Sequence, residues 1–255
     1  MTVDEMKAKD GAEKVLCVYD KKLSSSNMTL EEIIEYYGFT AFRFDVENNT
    51  EIRQIIPYVV VTNGDKVFRT TRIAGDERLV GKQSIGIGGH IDSADVQMIE
   101  KNRIDVAAAI DNCIVRELNE EINMNWDGCV MNKHESFVDD SDDVSKVHLC
   151  LLYTCDTMDD VAVKETEKLE GSFVTVEELY TDFDKLENWS QIALKMLFPI
   201  TLDKNAVDCA TKISKSQERR VAEQTKTLEY RDTVSNVPKK KKNKKSEPVE
   251  EQNEI

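Results

Sequence analysis

The stretch RIDVAAAIDNCIVRELNEEI, residues 103–122, constrains this chain most. Ile110, Ile114, Leu118 and Ile122 recur at helical spacing, so the segment is expected to be an amphipathic helix with one broad stripe against a core. The same helix crowds Glu117, Glu120 and Glu121 into an arc of roughly 100°. Like charges at i,i+3 or i,i+4 each cost on the order of 0.2–0.5 kcal/mol. Two explanations stand at this point: a solvated acidic face, or an arc over which a divalent cation turns repulsion into coordination.

The surrounding segments set that helix in a mixed α/β frame. EKVLCVYD reads as a short strand, and TLEEIIEYYG as a short helix with a capping box (Thr29 with Glu32) that ends at Gly38. FTAFRFDV returns to β-type residues. PYVVVTNGDKVFRTTR reads as a hairpin turning at Asn63-Gly64. SIGIGGHID is strand-like and carries Gly86, Gly88 and Gly89. Past the acidic helix, the loop DDSDDVS leads into a buried strand, KVHLCLLYTCD. GSFVTVEELY gives a strand and then a helix with a second capping box, Thr175 with Glu178. NWSQIALKMLF places Trp189, Ile192, Ala193, Met196 and Leu197 on one core-facing stripe. The alternation predicts a mixed sheet with helices on both faces.

Composition narrows the class. The chain has 255 residues, 40% of them hydrophobic, and a formal charge of −15, which argues against a general nucleic-acid binder. Six cysteines without CxxC spacing read as reduced thiols in a cytoplasmic protein, and three scattered histidines make a zinc site improbable. No apolar run reaches the length of a membrane span, and the charged start MTVDEMKAKD is not a signal peptide.

A Gly-Gly turn alone signals little more than close backbone packing. Followed by a helix with an acidic arc, it offers carbonyl and carboxylate oxygens, the hard ligands preferred by Mg²⁺ or Mn²⁺. GGHID and RELNEEI together resemble the signature of the Nudix hydrolases, G-x5-E-x7-R-E-U-x-E-E-x-G-U with U aliphatic. SIGIGGHI, KVHLCLLY, GSFVTVEEL and ENWSQIAL follow in the order of a Nudix subgroup, so the resemblance covers roughly residues 50–198. It implies an α/β/α sandwich and Mg²⁺- or Mn²⁺-dependent hydrolysis of a nucleoside diphosphate linked to another group. It also implies a nucleotide-type small-molecule substrate and leaves room for a homodimer. Glu117, Glu120 and Glu121 would be metal ligands, with the Gly89 carbonyl as a further one. Glu117 or Glu121 would help deprotonate the attacking water, and Arg116 would orient these carboxylates.

The chain departs from the pattern in two places. Ala108 stands where the family has its first glutamate. Gly89 and Arg116 are 27 positions apart against 14 in the pattern, an excess of 13, so the intervening DSADVQMIEKNRID reads as an insertion. Asp92, Asp95 and Glu100 are candidates to replace the lost acid, and Glu165 or Glu167 to complete the metal site. Asn123 takes the place of the usual glycine. Ala108 also leaves open a Nudix-fold nucleotide sensor or interaction protein with weak turnover. His90, Arg69, Arg72 and Arg78 are candidate phosphate contacts, the alternatives being loop-fixing hydrogen bonds for His90 and exposed strand-edge charges for the arginines. His148, Trp126 and Trp189 read as structural.

The expected organisation is a β/α extension over residues 1–50 packing on the core and a Nudix domain over 51–200. A helical extension over 201–235 and a disordered tail over 236–255 follow. Six lysines between Lys239 and Lys245 would make a solubilising tail, a nuclear-import signal, or a salt-sensitive electrostatic contact with RNA.

Overall fold

A computed structural model describes residues 13–200, apart from 26, 75–79 and 101. Arg78, the extension over 201–235 and the lysine-rich tail lie outside the described residues.

The spine is β3 (Ile52–Asn63), a twelve-residue strand whose pattern is almost wholly buried. Along one edge β11 (His148–Asp156) pairs with it in parallel, from His148 beside Gln54 to Asp156 beside Thr62. Three antiparallel strands share the other edge. They are β1 (Lys14–Tyr19) near Gln54, β6 (Gly86–Gly88) at Tyr58 to Val60, and β4 (Lys66–Arg72) at Thr62 and Asn63. The sheet is extended by β2 (Phe39–Phe42) on β1, by β5 (Gln83–Ser84) and β13 (Leu169–Thr175) on β4, and by β10 (Val130–Lys133) on β11. Two small pairs lie apart: β7 (Gln97–Glu100) with β8 (Arg103–Asp105), and β9 (Ile122–Asn123) with β12 (Ala162–Val163).

Helices cover both faces. On one, α2 (Leu30–Tyr37) and α4 (Val106–Glu121) bury Ile33, Ile34, Ile110, Ile114 and Leu118 against Leu16, Ile55, Val59 and Leu151. On the other, α5 (Val176–Thr181) and α6 (Asn188–Leu197) bury Leu179, Ala193 and Leu194 against Tyr58, Val60 and Leu152. The short helices α1 (Asp20–Ser25) and α3 (Arg43–Val46) complete the set. This is the expected α/β/α sandwich around a mixed sheet. Among the described residues no helix is long and apolar enough to cross a membrane.

Local signals hold at both capping boxes: Thr29 with Glu32 and Thr175 with Glu178 each exchange side chain-to-backbone bonds. Elsewhere tertiary contacts shift the boundaries. The hairpin loop is Gly64-Asp65, because Asn63 stays in the ladder opposite Lys66 and Gly64 takes the positive φ of 61°. FTAFRFDV is not strand throughout: Arg43–Val46 forms a helical turn that buries Val46, with Arg43 paired to Glu13 and Glu47. The acidic helix begins at Val106 rather than Arg103, because Asp105 caps it by accepting from the Ala108 amide at 3.0 Å. Ile122 is buried as the stripe requires, yet it lies in extended backbone beyond the helix end. In α6 the fully buried positions are Ser190, Ala193 and Leu194, a stripe rotated from the apolar one.

Candidate active site

The site is assembled around Tyr58. Its ring lies under the backbone of β6 so closely that a Cβ at Gly86 would enter the ring, and one at Gly88 would strike the Pro57 carbonyl. The Tyr58 hydroxyl meets Ser190 Oγ at 2.8 Å and Ser84 Oγ at 3.2 Å, while the Ile85 amide donates to Ser190 Oγ at 3.0 Å. Ser190 is thus buried because it ties α6 to the glycine strand, which the apolar spacing of α6 could not reveal. The pinned strand delivers Gly89 to the acidic helix, where a Cβ would collide with the Glu117 carboxylate.

Arg116 organises the carboxylates. Its guanidinium donates to Glu117 Oε1 at 2.5 Å, to the His90 carbonyl at 2.9 Å and to Asp95 Oδ2 at 2.8 Å, with Asp95 Oδ1 at 3.4 Å. Glu120 is 61% exposed and only 3.8 Å from Arg116, so it sits at the rim. Glu117 and Glu121 are the inner pair. Burial raises the pKa of Glu117, against the lowering effect of Arg116. Burial, with Glu117, Glu165 and Glu120 adding repulsion, pushes Glu121 up to about 7; Arg72 opposes the shift. All three glutamates lie in the last turns of α4, where the helix dipole also disfavours negative charge and the last turn holds no basic residue.

Two adjoining cavities open nearby, and of the three glutamates Glu121 lines the smaller. One of about 220 Å³ is lined by Glu121, Arg72, Lys82, Thr70, Ser84 and Glu187. Neither Arg72 nor Lys82 makes a side-chain hydrogen bond or ion pair among the described residues, and Arg72 Nε is buried without a partner. Arg69, by contrast, is taken by Asp182 at 3.1 Å. The second cavity, of about 580 Å³, shares Tyr58, Lys82, Gly88 and Glu187 with the first and extends to Trp189, His148 and His90. Trp189 stands edge-on to Tyr58, Phe137 and His148, and its Nε1 is buried with no partner.

His90 and His148 meet Nε2 to Nε2 at 3.1 Å. Burial lowers the pKa of both, that of His90 to about 3, so the pair is neutral. His148 Nδ1 lies 2.6 Å from the Val144 carbonyl and must donate to it, which leaves its Nε2 bare to accept from His90. His90 therefore brings no positive charge to the cavity wall.

No protein-family model matches the chain. Protein YmaB of Bacillus subtilis (strain 168) is 34% identical over 166 residues, which cover 61% of this chain and 76% of YmaB. The crystal structure of Tm1382, described as a Nudix hydrolase, superposes with a TM-score of 0.59 at 26% identity, covering 72% of this chain and 98% of Tm1382. The chain belongs to the Nudix hydrolase family. Its members act on phosphoric anhydride bonds, and so does this enzyme.

Several features of this Nudix site were not visible in the sequence. Lys82 comes to the cavities from the turn before β5, and Glu187 and Trp189 from the start of α6, and only the fold brings the two segments together. The inserted segment is a small hairpin, β7–β8, whose turn includes Asn102 at a φ of 67°. Of its acids, Asp95 reaches Arg116. Asp92 Oδ1 accepts from the Ser93 hydroxyl and the Ala94 amide, and Glu100 is 69% exposed beside Arg103. Of the later acids, Glu165 is the one that acts on Glu121.

Proposed function

We propose that this Nudix hydrolase cleaves a nucleoside diphosphate linked to another group, using Mg²⁺ or Mn²⁺. The observation that carries the reading is that Glu121 shares the smaller cavity with Arg72 and Lys82, cations with no side-chain hydrogen bond or ion pair among the described residues.

Among the described residues no three His, Cys, Asp or Glu side chains stand together as a ready metal cage. The donor chemistry nonetheless fits a hard divalent ion. The oxygen donors are the carboxylates of Glu117 and Glu121, Glu120 at the rim and the Gly89 carbonyl, which among the described residues accepts a long thiol contact of 3.6 Å from Cys113. Glu117 raises the cost of ionising Glu121, and Glu120 and Asp95 raise that of Glu117, a conflict that a cation would relieve. When bound, such an ion neutralises phosphate charge and activates water.

The protein's own groups supply the rest. Arg72 and Lys82 bind phosphate oxygens by charge-assisted hydrogen bonds. Glu121 accepts a proton from the attacking water, with Glu117 as the neighbouring base. Arg116 holds Glu117 and does not touch substrate. Water adds to phosphorus, the P–O–P bond breaks, and a monophosphate departs. The larger cavity holds the remainder of the nucleotide against the Trp189 ring. The buried thiols suit a reducing, cytoplasmic setting.

The test is turnover of a panel of nucleoside triphosphates, dinucleotides, nucleotide sugars and capped RNA with Mg²⁺ or Mn²⁺, in wild type and in Glu117→Gln and Glu121→Gln. The reading expects one substrate class to turn over and both variants to lose orders of magnitude. Tight nucleotide binding without product would instead support the sensor reading raised by Ala108.

A further inference from the structure

The segment between the glycine turn and α4 does more than lengthen a loop. It is fastened at its start to β1: the Leu16 amide donates to the Ile91 carbonyl at 2.8 Å, and the Ser93 amide to the Lys14 carbonyl at 2.7 Å. Farther along, Arg103 of β8 pairs with Glu35 of α2 and covers the Tyr36 ring at 5.0 Å. Between these anchors Asp95 is turned inward and is 6% exposed. Its own amide donates to the Asp92 carbonyl at 2.9 Å, its Oδ2 accepts from the Asp92 amide at 3.0 Å, and its carbonyl accepts from Asn112 Nδ2 of α4 at 2.9 Å. Both carboxylate oxygens then face Arg116, at 2.8 and 3.4 Å. A buried aspartate held by three bonds besides those to Arg116 leaves that guanidinium little freedom, and the same guanidinium holds Glu117 at 2.5 Å.

We propose that Asp95 is a positioning residue, supplied by the insertion, that locks Arg116 and thereby sets the Glu117 carboxylate against the Gly89 turn for divalent-cation binding. The proposal rests on the metal-dependent reading above. It makes the N-terminal strand and helix part of the active-site support, since they hold the segment that carries Asp95.

The experiment measures Mn²⁺ affinity of the full chain by calorimetry and by electron paramagnetic resonance, alongside Tm. The proteins compared are wild type, Asp95→Asn, Asp95→Glu and Asn112→Ala. Loss of a partner that orients a metal ligand typically weakens metal binding 10–100-fold, and Asp95→Asn should fall in that range with Tm little changed. Asp95→Glu should recover most of the affinity, because the negative charge returns. Asn112→Ala, which frees the Asp95 carbonyl and leaves its carboxylate, should weaken binding several-fold and carries the question if Asp95→Asn does not fold. Wild-type affinity in Asp95→Asn, or in Asn112→Ala where that variant carries the question, overturns the role of Asp95 alone. So does an Asp95→Glu variant no better than Asp95→Asn. Absence of Mn²⁺ binding in the wild type overturns this proposal and the metal-dependent reading together.

Discussion

The Glu117 carboxylate packs on the Cα of Gly89 so closely that no side chain can stand at residue 89 without displacing it. The relationship explains a glycine whose φ is not in the left-handed region: the need is for space. Gly89→Ala should therefore push Glu117 away from its bond with Arg116 while leaving the core on the other face of the sheet untouched. We expect a loss of about 10–100-fold in metal affinity, the size seen when ligand orientation is disturbed, with a smaller effect on Tm. Calorimetric Mn²⁺ titration checks this, and wild-type affinity would contradict it.

Arg72 and Lys82 face the smaller cavity with no side-chain hydrogen bond or ion pair among the described residues, and Glu187 is the carboxylate whose charge meets both. Hydrogen bonds to charged groups contribute about 1.5–3 kcal/mol. Arg72→Ala or Lys82→Ala should thus raise KM about tenfold to a hundredfold, with the salt dependence of KM reduced. An unchanged KM in both variants would remove these residues from phosphate binding.

Ser190 is fully buried and joins α6 to both Tyr58 and the Ile85 amide. Ser190→Ala strands a buried donor, at a cost of about 1–3 kcal/mol. Thermal or urea unfolding should show that loss, and activity should fall with it because β6 presents Gly89.

His148 is held neutral in the fold by burial, with Arg43 reinforcing and Glu47 and Asp142 opposing. Its folded pKa lies below the unfolded value of 6.5, so at a pH below 6.5 the unfolded chain binds the proton first. This contribution to stability is complete above pH 6.5 and is lost as pH falls below it. Urea midpoints from pH 8 to pH 5 should decline in wild type and decline less in His148→Gln. Parallel curves would contradict the assignment.

Burial pushes the thiols of Cys17, Cys113 and Cys155 up to about 12. Cys129 is the partly exposed cysteine among the described residues. Iodoacetamide at pH 8, followed by peptide mapping of the native protein, should label Cys129 well before these three. Equal labelling would show that the core opens readily.

What could be read in the sequence was local. Capping boxes, the long apolar stripe of α4 and the Arg116–Glu121 cluster are encoded within single segments, where helical geometry fixes which residues meet. The cap at Asp105 was missed because the apolar pattern runs past it into a strand. Lys82, Trp189 and Ser190 were not legible as site residues, since each acts on a residue more than twenty positions away. Three acids in the insertion were equivalent by spacing; only the turn that buries Asp95 separates it from Asp92 and Glu100.

The central claim is hydrolysis of a phosphoric anhydride in a nucleotide at the Glu117–Glu121 face. The most direct measurement is mass analysis of products formed from the substrate panel with Mn²⁺ in ¹⁸O-water. Wild type should form a monophosphate carrying one ¹⁸O, and Glu121→Gln should form none. Unlabelled products, or equal labelling by Glu121→Gln, would contradict it.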